Sequence, residues 1–208
     1  TTNSNHRFHK YKNLIKGLVV TGPNQLWVSD ITYIDIEGDS DYLHLVTDAY
    51  SHKIIGWCLA DSLSARHTLE ALRMAIRQTG KDNLNGLIHH SDRGIQYCCN
   101  AYVEELELHH ISISMTEDYK PTDNAIAERV NGIIKQELIY RRKRFASHEE
   151  AYEAIERFIT FYNDSRPHMS IDYQTPSVAH QQVGTQQRHW KGYQERCQQN
   201  QYNICQSI

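Results

Sequence analysis

The sequence has no apolar run near the roughly 18 residues that span a bilayer. No secretory leader stands ahead of its first patterned segment. Cysteine is scarce. Cys58, Cys98, Cys99, Cys197 and Cys205 are odd in number and contain no C-x-x-C pair. A disulfide framework is therefore not expected, and a reducing cytoplasm is. The familiar zinc spacings are missing too. His6 and His9, or His89 and His90, meet cysteines only across long, unpatterned distances. Net positive charge is also lacking. The formal charge is -3, which alone speaks against a nucleic-acid partner.

What is present is ordinary in bulk and uneven in detail. The 208 residues are 39% hydrophobic and 23% charged, enough for one sizeable domain with an appendage. The chain opens at Thr1 rather than methionine, which predicts a piece of a longer protein with a further domain upstream. Residues 1–20 carry Arg7, Lys10, Lys12 and Lys16 and no acid. Residues 27–61 carry seven acids and only Lys53. Residues 129–144 carry Arg129, Lys135, Arg141, Arg142, Lys143 and Arg144 against Glu137 alone. Such zoning fits a cation site beside a phosphate-binding surface, and equally a solvated charged face.

The hydrophobic pattern orders the elements. "QLWVSDITYIDIEG" alternates and predicts a strand from about Leu26 to Ile36. "DYLHLVTDAY" and "KIIGWCLA" follow as strands after short links, an antiparallel meander. "SARHTLEALRMAIRQTG" switches to a helical period, with Gly80 as its cap. "NGLIHHSD" is a fourth strand, reached by a crossover that favours parallel pairing. "YCCNAYVEEL" predicts one helix and "HISISM" a fifth strand. "PTDNAIAERVNGIIKQEL" is a helix begun by Thr122 or Asp123. "SHEEAYEAIERFITFYN" is another, with Ser147 and Glu150 spaced as a capping box. The order predicts an α/β protein with a ribonuclease H-like fold, a mixed five-stranded sheet flanked by helices. Residues 1–22 are read as a basic arm, 23–176 as the core and 177–208 as a Gln-rich tail.

Three carboxylates stand out. Asp30 lies mid-run in "WVSDITYI", on one strand face with Leu26, Val28, Thr32 and Ile34. A buried acid there needs a partner, whether an arginine, a backbone donor or a cation. Asp92 in "HHSDRGIQY" follows the fourth strand. A lone aspartate at that place is commonly a turn residue. In the predicted fold, however, the fourth strand neighbours the first, so Asp92 projects beside Asp30. Gly94 then suits a tight turn. In the later helix, Asn124, Glu128, Asn131 and Lys135 fall on one polar stripe. The stripe is hydrophilic whether it faces water or a site. Gly132 weakens this helix and predicts close approach of another backbone.

With 35 residues between Asp92 and Glu128, the ordered set resembles the DDE transposase and retroviral-integrase catalytic core. The likeness is greatest to insertion-sequence transposases with an integrase-type core. It rests on "WVSDITYI", "HHSDRGIQY", "DNAIAERVNGIIKQEL" and "YNDSRPHMSIDYQTP", in family order from Pro23 to Pro176. The resemblance implies catalytic, metal-binding roles for Asp30, Asp92 and Glu128. It implies that Lys135 contacts DNA near the site. The other DNA-binding candidates are Lys120, Asn124, Arg129, Asn131, Arg141, Arg142, Lys143 and Arg144. Tyr162, Asn163, Arg166, Pro167 and His168 match a family segment for which packing against the core is the expected role. Asp118-Tyr119-Lys120-Pro121 departs from the glycine-containing loop common in the family.

The implied chemistry is cleavage and strand transfer of DNA by in-line displacement at phosphorus. Two Mg²⁺ or Mn²⁺ ions would serve it, with Asp30 bridging both and Asp92 and Glu128 each completing one. The resemblance also implies a homo-oligomer acting on element ends and target DNA in a bacterial cytoplasm, at the nucleoid. An end-recognition domain upstream is expected. A stand-alone ribonuclease H-like nuclease and a non-catalytic DNA-binding or assembly module are the competing readings. The "YN..RPH" segment speaks against the first, and the intact triad against the second.

Overall fold

The computed structural model describes residues 4–80, 82, 84–117, 124–142 and 144–187. The alternating segment forms strand β1 (Leu26–Ile36). It turns through Gly38 into β2 (Asp39–Asp48), and β3 (Ile54–Ala60) completes an antiparallel meander. Helix α1 (Ala65–Thr79) starts where the Ser64 side chain accepts from Arg66 N–H. It stops at Gly80, whose φ of +78° suits glycine and whose N–H reaches Ile76 O. The crossover makes β4 (Ile88–Ser91) parallel to β1, and β5 (Ser112–Met115) is parallel to β4. The sheet order is β3-β2-β1-β4-β5, so β1 is central, as the alternation and crossover predict.

One predicted helix is two. Helix α2 (Ile95–Cys98) and helix α3 (Asn100–Leu108) are separated by Cys99, which is extended at φ −69°, ψ 150°. In an unbroken helix residues 97 and 102 would point roughly 140° apart. The break brings Tyr97 and Tyr102 edge to face with ring centroids 5.5 Å apart, both against the buried ring of His89.

Helix α4 (Ala125–Ile134) runs on into a π-helical turn at Lys135–Ile139. The predicted caps Thr122 and Asp123 lie outside the described residues. Helix α5 (His148–Asp164) begins at Ser147, whose side chain accepts from Glu150 N–H. Glu150 returns a bond to Ala146 N–H, one residue before the cap, so the predicted box closes one position early. A 3-10 turn (Met169–Ile171) and helix α6 (Pro176–Ala179) follow.

Each face of the sheet has its own core. Ile34, Leu43 and Leu45 meet Val130 and Ile134 of α4 and Ile155 of α5. Trp27, Val46 and Ile55 meet Leu72 of α1 and Leu106 of α3 on the other face. Before β1, the chain runs beside β5: Met115 N–H donates to Lys12 O, and Leu14 N–H to Ser114 Oγ. Lys16 of this basic stretch is paired with Glu117. No helix among the described residues is long and apolar enough to cross a membrane.

Two glycines set packing in opposite ways. A Cβ on Gly56 of β3 would collide with the Ala71 carbonyl and lie 2.9 Å from Ala75 N, both on α1. The glycine is what lets α1 lie against the sheet. A Cβ on Gly132 would meet nothing within 4 Å, so the close backbone approach predicted at Gly132 is not found. Gly56→Ala is expected to destabilise the fold by about 1–3 kcal/mol through overpacking. Gly132→Ala is expected to stabilise it by about 1 kcal/mol through helix propensity. Urea unfolding of the two variants checks both signs.

Candidate active site

β1 and β4 run in parallel with Val28 opposite His90. Two residues further along stand Asp30 and Asp92, near enough for the Asp92 charge to act on Asp30. β4 ends at Ser91, so Asp92 leaves the sheet beside the middle of β1. Its Oδ1 accepts from Gly94 N–H at 2.8 Å, so Asp92 is also a turn residue. Gly94 has φ −63° and ψ 146°, a conformation open to any residue. The backbone angles of the turn therefore do not call for glycine, contrary to expectation.

The third carboxylate comes from α4, which packs across β1. Asn131 Nδ2 donates to Asp30 Oδ2 at 2.7 Å, and Asn124 Nδ2 donates to Ser29 O at 3.1 Å. Both asparagines are buried. The polar stripe thus faces the sheet at its two asparagines. Glu128 lies on the same face between them and is itself exposed. Asn124 also occupies the N-cap position, but its side chain is spent on Ser29 and makes no cap hydrogen bond.

The charges act on one another. The Asp30 pKa is pushed up to about 6, chiefly by burial. The charges of Asp92 and Glu128 add to the rise, and hydrogen bonds from Ile31 N–H and Asn131 oppose it. The three carboxylates are not drawn tightly together. Among the described residues, the one group of three Asp, Glu, His or Cys ligand atoms all within 4.8 Å of one another is Cys58, His67 and Glu70, elsewhere. An all-oxygen donor set of this kind suits a hard divalent cation, which would cancel the repulsion that raises Asp30.

Beneath the carboxylates lies a buried polar layer that the sequence pattern did not single out. His89 Nε2 is 2.8 Å from Ser29 Oγ and 2.9 Å from the Tyr102 hydroxyl. Burial holds the His89 pKa down at about 3, so the ring is neutral. His90 Nδ1 lies 2.8 Å from Ser114 Oγ. Two histidines before Asp92 were the visible signal, and they pack the strand.

The basic candidates spread widely. Lys135 begins the π-helical turn, on the stripe that carries Glu128 and Asn131. Arg129 lines a cavity of about 870 Å³ with Arg166 and His168. Arg141 and Arg144 are exposed, while Arg142 pairs with Glu150 at 3.1 Å. This run precedes Phe145, which bridges to Ile36 at the far end of β1. Six strand residues, roughly 20 Å, separate that end from Asp30. The run is therefore not brought to the carboxylates. Lys120 and Lys143 lie outside the described residues, as does the Asp118-Tyr119-Lys120-Pro121 departure.

The "YN..RPH" segment packs and clamps. Asn163 exchanges two hydrogen bonds with the backbone of Ile54, and the Tyr162 hydroxyl donates to His52 O. Arg166 donates to both carboxylate oxygens of Glu137 at 2.8 and 2.6 Å. The segment ties the end of α4 to the start of β3.

Sheet order and flanking helices, with one carboxylate mid-strand on β1 and another at the exit of its neighbour β4, are those of a ribonuclease H-like core of the integrase catalytic type. A family model described as integrase core domain matches residues 20–121, and a second of the same description matches residues 109–176. The chain is 37% identical over 147 residues to a putative transposase for insertion sequence element IS986/IS6110 of Mycobacterium tuberculosis, covering 69% of this chain and 53% of that protein. It is 36% identical over 168 residues to the transposase for insertion sequence element IS904 of Lactococcus lactis, covering 79% and 64%. The catalytic core domain of HTLV-2 integrase, in complex with magnesium in a trimeric form, superposes with a TM-score of 0.60 at 20% identity, covering 78% of this chain and 99% of that one. The chain belongs to the integrase core family, and the relatives it matches are described as transposases of insertion sequence elements. It spans about half the length of the first of these relatives.

The raised Asp30 pKa has a consequence for stability. Its folded value lies above the unfolded one, so the contribution of the protonated group is complete below about pH 4 and is lost as pH rises through about 6. Asp30→Asn removes that loss. In chelator, the variant should gain on the native protein between pH 4.5 and pH 7.5, by on the order of 1–3 kcal/mol. Urea unfolding at the two pH values measures the difference. An unchanged gap would contradict the electrostatic account of the site.

Proposed function

We propose that the chain is the catalytic core, residues 23–176, of a transposase that cleaves DNA and joins its ends. The observation that supports the reading is that Asp92, at the β4 exit, and Glu128, on α4, stand near enough to Asp30 on β1 for their charges to raise its pKa. Divalent cations held by these three side chains, Mg²⁺ or Mn²⁺ and two per site, would activate the attacking oxygen and stabilise the leaving one. Asn131 holds one Asp30 oxygen, so that carboxylate is oriented before any ligand arrives. Asn124 fixes α4 to the β1 backbone, which sets the reach of Glu128. The attacking group is water in cleavage and a DNA 3′-hydroxyl in joining, so no protein nucleophile is required.

Lys135, on the π-helical turn that continues the stripe of Glu128 and Asn131, is assigned to the phosphates next to the reacting bond. Arg129, Lys120 and the Arg141 to Arg144 run are assigned to DNA further away. Joining two element ends calls for at least two copies of the chain. The bacterial relatives and the reducing chemistry of the cysteines support action in the cytoplasm.

A disintegration assay, which reverses strand transfer on a preassembled branched DNA, tests the core directly. With Mn²⁺ the native chain should resolve the branch and Glu128→Gln should not. Equal product from both would remove Glu128 from the site. Product confined to RNA–DNA hybrids would replace the transposase by a nuclease. Asn131→Ala should lower the rate about 10–100-fold, as loss of a group that orients a metal ligand does. Lys135→Ala should weaken binding evenly across DNA sequences and reduce its salt dependence. Fluorescence anisotropy at two salt concentrations reads the second effect.

A further inference from the structure

A second group of ligand-type side chains lies on the α1 face of the sheet, whereas Asp30 faces α4. Cys58 is on β3, and His67 and Glu70 are one turn apart on α1. Their ligand atoms all lie within 4.8 Å of one another. The Cys58 thiol donates to Glu70 Oε2 at 3.3 Å, and His67 Nδ1 is 3.7 Å from the same oxygen. Metal–ligand bonds of about 2.0–2.3 Å in a tetrahedron give ligand–ligand edges of about 3.3–3.8 Å. Both separations fall in that range. The third separation, between Cys58 and His67, is under 4.8 Å, so a small side-chain adjustment brings all three donors around one ion.

We propose that Cys58, His67 and Glu70 form a second cation site, for a dication of the zinc class, independent of the three carboxylates. Thiol, imidazole and carboxylate together select a borderline-soft ion over Mg²⁺. A thiolate and a carboxylate neutralise its charge, and His67 adds a neutral nitrogen. Binding replaces the thiol proton, which is released as the sulfur–metal bond forms. His67 is largely buried, at 10% side-chain exposure, while Glu70 is 51% exposed and gives the ion its way in. The fourth position opens to solvent on the Glu70 side. His44 pairs with Cys58 across β2 and β3, and its ring centroid lies 6.0 Å from that of His67. Arg66 reaches the other Glu70 oxygen at 3.6 Å but is 74% exposed and free to swing into water. An ion here would cross-link β3 to α1, the contact that Gly56 permits.

The test uses the full chain, stripped by chelator and titrated with Co²⁺ and then Zn²⁺. Native protein should take about one equivalent of Co²⁺ with a thiolate-to-cobalt charge-transfer band, and Zn²⁺ should bleach the band and raise the melting temperature. Cys58→Ser should lose the band. Glu70→Gln, a surface change that leaves the core intact, should bind at least about tenfold more weakly. An Asp30→Asn/Glu128→Gln double variant should keep the band. A band that persists in Cys58→Ser would assign the metal to another cysteine and overturn the proposal. A Zn²⁺ response that vanishes in the double variant would place the ion at the carboxylates and overturn it equally. No band in the native chain would refute the site without touching the proposed function.

Discussion

An ionised carboxylate in the middle of a central strand is costly unless something answers its charge, and Asp30 is such a group. Burial and two neighbouring carboxylates push it toward the neutral form, while Ile31 N–H and Asn131 hold the charged one. Much of the surrounding structure follows from that conflict. β1 must be central so that β4 can deliver Asp92 alongside. α4 must cross β1 so that its asparagines reach Ser29 and Asp30, and that crossing fixes where Glu128 stands. The apolar cores on the two faces supply the burial that makes the conflict sharp.

The layers behind the site serve its geometry. His89 is kept neutral and joined to Ser29 and Tyr102, so the strand next to Asp30 rests on satisfied polar groups instead of a void. The broken helix α2–α3 exists to bring two tyrosines onto that histidine. At the other end of α4, Arg166 and Asn163 bind the π-helical turn and β3. The family segment is thus explained as a clamp on the helix that carries Glu128, Asn131 and Lys135.

Much of this was legible in the residues because it is written at short range. Alternation gave β1 its two ends, helical period gave α1, α4 and α5 their apolar faces, and Asp30 stood out against an apolar strand, whereas Asp92 and Glu128 were picked out by the ordered family pattern. What periodicity does not encode is which polar face is turned inward. Asn124 and Asn131 look like solvent-side residues until the sheet is beside them. Gly132 looked like the close-approach glycine, whereas Gly56 is, because only the α1–β3 contact decides it. The Cys58, His67 and Glu70 group is invisible to spacing rules for a related reason. Its members come from a strand and a helix that meet only in the folded sheet.

The central claim is that the Asp30 conflict is resolved by a cation shared with Asp92 and Glu128. Anomalous diffraction from crystals soaked in Mn²⁺ tests it most directly. The account predicts a manganese peak within coordination distance of carboxylate oxygens of Asp30, Asp92 and Glu128, with the three drawn closer than in the metal-free protein. Saturating Mn²⁺ with no peak there, and with the carboxylates still apart, would contradict it.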